Sequence, residues 1–144
     1  MDEEIFEDVP FIAWIHNISK NQLKYLNSKL TDLNMGHEIR YILFIHDRPD
    51  SSQEDLVNFS GQSKGNIAKV LKRLEDEGYI KREVNPQNRR KYMLNTTSKA
   101  DELVPKIRQI SKDWEVEVGI TEADDELKQR IKEISINSMK LIGE

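Results

Sequence analysis

Basic and amide side chains that could recognise a nucleic acid are concentrated in the middle of this 144-residue chain. Residues 63–91 contain nine Lys/Arg and four Asp/Glu, a net charge of +5. The wider segment 36–100 carries +3 and the rest of the chain −7, so the total is −4. Lysine and arginine bind phosphates and guanine, whereas asparagine and glutamine pair with adenine. The distribution favours a basic nucleic-acid-binding segment flanked by acidic segments. The alternative is a chance clustering of solvated charge.

The candidate base-reading residues lie at the start of a helix predicted to begin near Ser63. If that helix enters the major groove, its first residues face the base edges. These residues are Gln62, Ser63, Lys64, Gly65, Asn66 and Lys69. Lys64 could donate to guanine O6 and N7, and Asn66 could pair with adenine N6 and N7. For Asn66, a part in capping the helix is an equally good interpretation.

Further polar residues are candidates for contacts with the DNA backbone. Phosphate contacts position a protein without reading sequence, and they suit residues farther along the helix or at the start of the preceding one. These candidates are Ser51, Ser52, Gln53, Lys69, Lys72 and Arg73. Arg89, Arg90 and Lys91 form a basic hairpin tip, and guanidinium groups suit the negative potential of a narrow minor groove. The alternative for this tip is a solvated turn.

The chain lacks the residue patterns of common catalytic and metal sites. It has no cysteine, which excludes disulfides and thiolate ligands. Its histidines, His16, His37 and His46, show no metal-ligand pairing, and no Gly-x-Ser-x-Gly elbow or Walker-type loop is present. We therefore expect no catalytic residue, no metal and no cofactor, and we interpret His37 and His46 as surface residues or hydrogen-bonded partners.

Apolar spacing predicts two helices before the basic centre. Between Val9 and Leu33 apolar residues recur at helical intervals, so a long first helix should begin near Pro10. Asn34-Met35-Gly36 is a predicted stop. A second helix ends before Pro49 and is marked by Ile39, Ile42, Leu43 and Phe44.

Two capped helices and a hairpin make up the basic centre. Ser52 and Asp55 predict a capping box, and Ser63 caps the next helix after a break at 60–62. Gly78 ends that helix, whose apolar face is Ile67, Val70, Leu71 and Leu74. Two β-prone runs, 79–84 and 91–94, flank a turn-rich loop at 85–90. These elements predict a helix-turn-helix followed by a basic wing.

The C-terminal segment is predicted to be helical. Thr97 caps a helix with Pro105 inside it, and the proline should kink this helix near Asp101 unless the helix starts later. One face of the helix consists of Leu103, Ile107, Ile110 and Trp114. Thr121 and Asp124 open a last helix, whose apolar residues are Leu127, Ile131 and Ile134.

The helices that flank the basic centre have apolar faces that a small winged unit cannot bury alone. Packing against a second copy would give a two-fold interface, and a monomeric bundle is the alternative. The expected fold is mainly α with a small β-wing: a winged helix-turn-helix flanked by N- and C-terminal dimerisation helices. Residues 1–35 are assigned to the N-terminal helix of the dimerisation region, residues 36–97 to the DNA-binding domain and residues 98–144 to the C-terminal dimerisation helices.

The length suits one compact domain, or a small domain with an appendage. The start Met1-Asp2-Glu3-Glu4 is acidic where a signal peptide would be basic, and no apolar run approaches the ~20 residues that span a bilayer. A soluble cytoplasmic protein with no membrane partner is therefore expected.

Three segments of the basic centre resemble the multiple-antibiotic-resistance regulator (MarR) family: residues 63–82, Asn85-Pro86-Gln87-Asn88-Arg89-Arg90 and Thr97-Ser98-Lys99-Ala100. The family's wing usually reads Asp-Pro-x-Asp-Arg-Arg and is followed by Thr-x-Lys-Gly. Counterparts of the family's long first helix and two C-terminal helices extend the resemblance to nearly the whole chain. It implies a homodimeric transcription regulator that binds double-stranded DNA at a pseudo-palindromic operator, acts as a repressor and is released by a small aromatic or phenolic effector.

The resemblance also implies an effector pocket and shows some departures. By family position the pocket lies between the first two helices and the dimer helices, and its candidates are Phe11, Trp14, Ile15, Arg40, Tyr41 and Phe44. Aromatic residues at helical spacing are alternatively plain core. Asn85 and Asn88 replace the wing aspartates, so an Asp–Arg brace is missing, while Thr96 and Ala100 replace a leucine and a glycine.

Two non-enzymatic alternatives keep the fold and change its use. One is a winged protein-interaction adaptor, which the basic wing disfavours. The other is an architectural DNA-binding protein without an operator, which the acidic net charge disfavours.

Overall fold

A computed structural model of the chain describes residues 8–30 and 38–143. The elements are α1 Phe11–Lys29, α2 Glu38–Asp47, α3 Gln53–Ser60, α4 Lys64–Asp76, β1 Ile80–Asn85, β2 Asn88–Thr96, α5 Ser98–Glu117 and α6 Asp125–Leu141, with a 3-10 turn at Glu122–Asp124. β1 and β2 form an antiparallel hairpin. The prediction of a mainly α fold with a small β-wing is confirmed. No helix within these ranges combines the length and apolarity needed to cross a bilayer.

The contacts divide the chain into two compact units, one ending at Ile110 and the other beginning at Ser111. The first unit contains the apolar core. Its centre is built from α2 and from the predicted apolar face of α4, where Ile67, Leu71 and Leu74 are fully buried. Burying one such side chain contributes about 1.5–3 kcal/mol. The remaining core includes Leu26 and Leu30 at the end of α1 and Leu103, Val104 and Ile107 of α5.

The helix boundaries confirm most of the predicted signals. α1 begins directly after Pro10 and ends at Lys29, with Leu30 as its C-cap. The predicted extension to Leu33 and the stop at 34–36 lie outside the described residues. α5 starts at Ser98, directly after Thr97, and passes through Pro105. The proline removes the helical hydrogen bond to the carbonyl of Asp101 without ending the helix.

The C-terminal end of α4 is closed by a turn that requires Gly78. The N–H of Tyr79 donates to the carbonyl of Leu74 at 2.9 Å, and the N–H of Gly78 donates to the carbonyl of Glu75 at 3.0 Å. Gly78 has φ of 83°, in the left-handed region that favours glycine. This is the Schellman arrangement, and it turns the chain from α4 directly into β1.

We expect Gly78→Ala and Gly65→Ala to change stability in opposite directions. At Gly78 a Cβ is strained by the positive φ, so the free energy of unfolding should fall by about 1–2 kcal/mol. Gly65 lies in the first turn of α4 with open space around the site of a Cβ, so alanine should raise the free energy of unfolding by about 0.5–1 kcal/mol. Urea denaturation of the two variants measures both changes, and equal signs would contradict the assigned backbone conformations.

Candidate nucleic-acid interface

Two capped helices present the polar residues of the helix-turn-helix. Ser52 Oγ accepts from the N–H of Asp55 at 3.1 Å, and the Asp55 carboxylate accepts from the N–H of Ser52 at 2.8 Å, which confirms the predicted capping box. Ser63 Oγ accepts from the N–H of Asn66 at 3.2 Å. The backbone of Asn66 therefore takes part in the cap, while Asn66 as a residue stays exposed. The side chain of Gln53 donates to the carbonyl of Lys64 at 3.4 Å and so joins the starts of α3 and α4.

The loop before α3 is attached to the wing. The N–H of Leu94 donates to the carbonyl of Ser51 at 2.8 Å. Asp50, which has φ of 62°, exchanges two hydrogen bonds of 2.9 Å with the side-chain amide of Asn95. Ser51 is buried within this attachment. The sequence proposed Ser51 as a phosphate contact and contained no local sign of the Asp50–Asn95 pair, since its members are 45 residues apart.

The segment after the wing is bonded to the end of α4. The Thr97 hydroxyl donates to the carbonyl of Gly78 at 2.6 Å, and the Lys99 ammonium donates to the carbonyl of Glu77 at 2.8 Å. A cation at the C-terminus of a helix also interacts favourably with the helix dipole. These roles explain why the Thr-x-Lys sequence follows the wing. The sequence predicts Thr97 as a helix cap and the Thr-x-Lys pattern as a family signature, but it predicts neither of these two bonds.

The wing is longer and its tip tighter than predicted. Strand pairing extends to Asn85 opposite Asn88, with an irregularity after Val84, so the prediction of a loop spanning 85–90 is wrong. The tip closes because Asn85 Oδ1 accepts from the N–H of Gln87 at 2.9 Å and Asn88 Oδ1 accepts from the N–H of Arg90 at 3.2 Å. Arg89, Arg90 and Lys91 consequently lie in β2.

A groove of about 410 Å³ separates the wing from the starts of α3 and α4. It is lined by Ser52, Gln53, Glu54, Lys64, Arg82, Asn88, Arg90, Lys91, Tyr92 and Leu94. Five candidate DNA-binding residues are thus brought together. Neighbouring strand residues point to opposite faces, so Arg90 shares the face of Tyr92 while Arg89 belongs to the other face.

A second hollow, of about 460 Å³, lies between α2 and α4. The candidate DNA-binding residues that line it are Gln62, Asn66 and Lys69. Arg40 and Tyr41, proposed for an effector pocket, line the same hollow. Ser63 and Gly65 are exposed at the start of α4.

The other effector candidates are in different environments. Phe44 is buried, and its ring centroid lies 4.6 Å from that of Phe59. The Arg48 guanidinium lies 4.3 Å from the Phe44 ring centroid. Phe11 and Trp14 are exposed on α1, and Ile15 is half-buried.

Carboxylates neutralise part of the basic centre. Within the described residues, five of the nine Lys/Arg of segment 63–91 have a carboxylate within 4.0 Å: Lys72, Arg73, Lys81, Arg82 and Lys91. In the same part of the chain no such partner is present for Lys64, Lys69, Arg89 or Arg90. Exposed ion pairs contribute little to stability, but they lower the local positive potential. The uncompensated cations therefore lie at the start of α4 and on the wing.

Arg73 is held by two acidic residues. Its guanidinium contacts the Glu38 carboxylate at 2.7 Å and the Glu77 carboxylate at 3.4 Å. Glu38 is buried on α2, and burial raises its pKa although the charge of Arg73 acts in the opposite direction. The sequence assigned Arg73 to phosphate contacts and did not single out Glu38, which lies 35 positions away.

The described residues contain no cluster of three or more His, Asp or Glu side chains arranged to hold a metal ion. His46 Nδ1 lies 3.1 Å from the Asp47 carboxylate and its Nε2 lies 3.8 Å from that of Asp101. His37 is outside the described residues.

The order α2, α3, α4, β1, β2, with α4 capped and exposed beside a basic hairpin, defines a winged helix-turn-helix protein of the nucleic-acid-binding class. Comparison with known proteins agrees with this class. Residues 30–91 match a family model described as the MarR family. The chain is therefore similar to MarR-family transcription regulators, over residues 30–91 in sequence and over most of its length in structure.

Similar proteins cover most of the chain. The HTH-type transcriptional regulator BilQ of Clostridioides difficile (strain CD3) is 25% identical over 132 residues, which are 91% of this chain and 88% of BilQ. A crystal structure of MarR is 29% identical and superposes with a TM-score of 0.85, covering 99% of this chain and 97% of that chain. A putative MarR family transcriptional regulator from Listeria monocytogenes, solved in complex with 26mer DNA, shares the fold with a TM-score of 0.80 at 24% identity, covering 92% of this chain and 91% of that chain.

We expect Glu38→Gln to become more stable, relative to the unmodified protein, as pH rises. Because the folded-state pKa of Glu38 is raised above 4.5, the unfolded chain ionises first, and the free energy of unfolding falls as pH increases from 4.5 through the raised pKa. Glutamine does not ionise, and it keeps the size of the glutamate side chain that contacts Arg73. Urea denaturation over a pH series measures this difference, and a difference that is independent of pH would contradict it.

Proposed function

We propose that this chain is a sequence-specific transcription regulator that binds double-stranded DNA as a homodimer and represses from a pseudo-palindromic operator. The observation that carries the proposal is the placement of the uncompensated cations. Lys64 and Lys69 lie on the first turns of α4, and Arg89 and Arg90 lie on the wing. A protein that inserts α4 into the major groove and the wing into the adjacent minor groove needs positive charge at these two places.

In this proposal the start of α4 reads bases. Lys64 donates to guanine O6 and N7, and the exposed amide of Asn66 pairs with adenine, each contact providing roughly 1–3 kcal/mol of discrimination. Gly65 keeps this part of the surface open, since no other part of the chain lies within 4 Å of the site of a Cβ. Gln62 and Ser63 contact the edges of neighbouring bases or the phosphates beside them.

The remaining contacts position the protein on the duplex. The residues that contact phosphates are Ser52, Gln53, Lys69, Lys72 and Lys91. Lys72 also pairs with Asp76 at 3.6 Å, but this ion pair is exposed and can exchange for a phosphate. We assign Arg73 to the Glu38 ion pair and Ser51 to the attachment of the wing. The complex of the Listeria relative with 26mer DNA supports a duplex as the partner.

Unburied apolar surface supports the dimer. α6 contains no buried residue, although Leu127, Ile131 and Ile134 form a stripe along one face. In the first unit, Phe11, Ile12, Trp14 and Ile18 of α1 are also exposed. A helix with an apolar stripe needs a partner to cover it, and in a two-fold dimer a second copy provides it. We therefore propose the segments 1–35 and 98–144 as the dimerisation region and 36–97 as the DNA-binding domain.

A small aromatic or phenolic effector is part of the proposal, and the family resemblance supports it. Arg40 and Tyr41 are the favoured contacts among the candidates, since they line the hollow that also contains Asn66 and Lys69. An anion held there would compete with DNA for the start of α4.

We expect Arg90→Ala and Arg89→Ala to weaken operator binding and to flatten its salt dependence. Each lost phosphate contact reduces the slope of log K against log salt by about 0.9. Arg90 should have the larger effect, because it lines the groove beside Lys64. Lys81→Ala is the matched control, since Lys81 is on the same hairpin and already pairs with Glu83. Fluorescence anisotropy at several salt concentrations measures the slopes.

Unchanged slopes for both arginine variants would contradict the wing contact. Weak binding of the unmodified protein that ignores sequence at moderate salt would contradict the proposed function itself and would favour the adaptor.

We expect Ile131→Glu with Ile134→Glu to convert the protein to monomers and to reduce operator affinity. The charges would have to be buried without partners in the proposed interface. Lys132→Glu, which lies off the apolar stripe, should remain dimeric. Sedimentation equilibrium measures the mass. A footprint on an inverted repeat, with half-sites about 10–10.5 bp apart or a multiple of that, reports the symmetry. A double variant that stays dimeric would favour the monomeric interpretation of α6.

A further inference from the structure

One arginine connects α4 to both strands of the wing. Arg82 of β1 donates from Nε and Nη2 to the two carboxylate oxygens of Glu75 on α4, each at 3.1 Å. Its guanidinium carbon lies 5.7 Å from the ring centroid of Tyr92 on β2. About a quarter of the Arg82 side chain is exposed. A two-bond pair between a guanidinium and a carboxylate is stronger and more directional than a single contact.

This ion pair lies next to the short connection between α4 and the wing. The covalent connection between α4 and β1 is only Glu77-Gly78-Tyr79, and Arg82 lies just beyond it. Arg82 lines the same groove as Lys64 and Arg90, yet its charge is compensated by Glu75. Consistent with this pairing, the hydrogen bonds with Arg82 lower the pKa of Glu75 and those with Glu75 raise the pKa of Arg82.

We propose that Arg82 is a positioning residue whose two-bond pair with Glu75 sets the angle between α4 and the wing, so that both reach adjacent grooves of one duplex. This inference rests on the proposed function. Arg82 acts through Arg89 and Arg90 and makes no phosphate contact itself. Its side chain is committed to Glu75 and Tyr92, whereas the arginines at the tip have no carboxylate partner among the described residues.

The decisive variant is Glu75→Gln. It removes a negative charge bonded to Arg82, a residue that lines the groove, so electrostatics alone predicts tighter DNA binding. If the pair positions the wing, binding should instead weaken roughly tenfold, a change of about 1.4 kcal/mol. Asp76→Asn is the matched control, since it removes one negative charge from the same helical turn and leaves both hydrogen bonds between Arg82 and Glu75 in place. It should bind as tightly as the unmodified protein or more tightly.

Further measurements separate positioning from general damage. Arg82→Lys keeps the charge but loses the two-bond geometry, so it should also weaken binding, and exchanging the pair as Glu75→Arg with Arg82→Glu should restore most of the affinity. Arg90→Ala should cost less in the Glu75→Gln background than alone, because the misplaced wing already makes poorer contact. Hydroxyl-radical footprints should lose protection in the minor groove. In a separate methylation-protection experiment, α4 should still protect guanine N7.

Each variant is compared with the unmodified protein, whose specific DNA binding is measured first. If the unmodified protein does not bind specifically, the proposed function is rejected, not this inference. Given that binding, tighter or unchanged affinity of Glu75→Gln would overturn the positioning role. Equal losses from Glu75→Gln and Asp76→Asn, or full additivity with Arg90→Ala, would also overturn it. Thermal unfolding of each variant identifies any that fails to fold, and Arg82→Lys then takes the place of Glu75→Gln in the cycle with Arg90→Ala.

Discussion

The carbonyl groups at the end of α4 need hydrogen-bond donors, and the donors that this chain supplies hold the wing in place. Gly78 adopts a positive φ and lets the N–H of Tyr79 reach back to the carbonyl of Leu74. Thr97 and Lys99, which follow β2, then bond the carbonyls of Gly78 and Glu77. The beginning and the end of the hairpin are therefore tied to the same helix terminus, and an exposed two-stranded ribbon, marginal alone, becomes a defined projection.

The acidic residues decide which cations the surface presents. The chain carries a net charge of −4, so indiscriminate attraction to nucleic acid is suppressed. Carboxylates neutralise the later turns of α4 and the base of the wing, whereas the first turns of α4 and Arg89 and Arg90 stay uncompensated within the described residues. This charge pattern supports the proposed binding to a particular DNA site.

Local signals predicted much of this structure. The capping box of Ser52 and Asp55, the cap at Ser63 and the helix end at Gly78 depend on residues within a few positions of one another, and each formed as predicted. The extent of the wing tip was predicted wrongly. The turn-forming residues at 85–90 favoured a loop, but two asparagine side chains close the tip and let strand pairing continue to Asn88. Arg89 and Arg90, adjacent in sequence, consequently belong to opposite faces.

The sequence alone determined the types of the elements, their order and the family resemblance, because helix caps, turn residues and apolar periodicity act over short distances along the chain. Only the tertiary structure decided which charges are compensated and which side chains share a groove. Glu38 with Arg73, Asp50 with Asn95 and Thr97 with Gly78 are pairs separated by many residues. No local pattern encodes such pairs, because their distances are set by how the core brings the helices and the hairpin together.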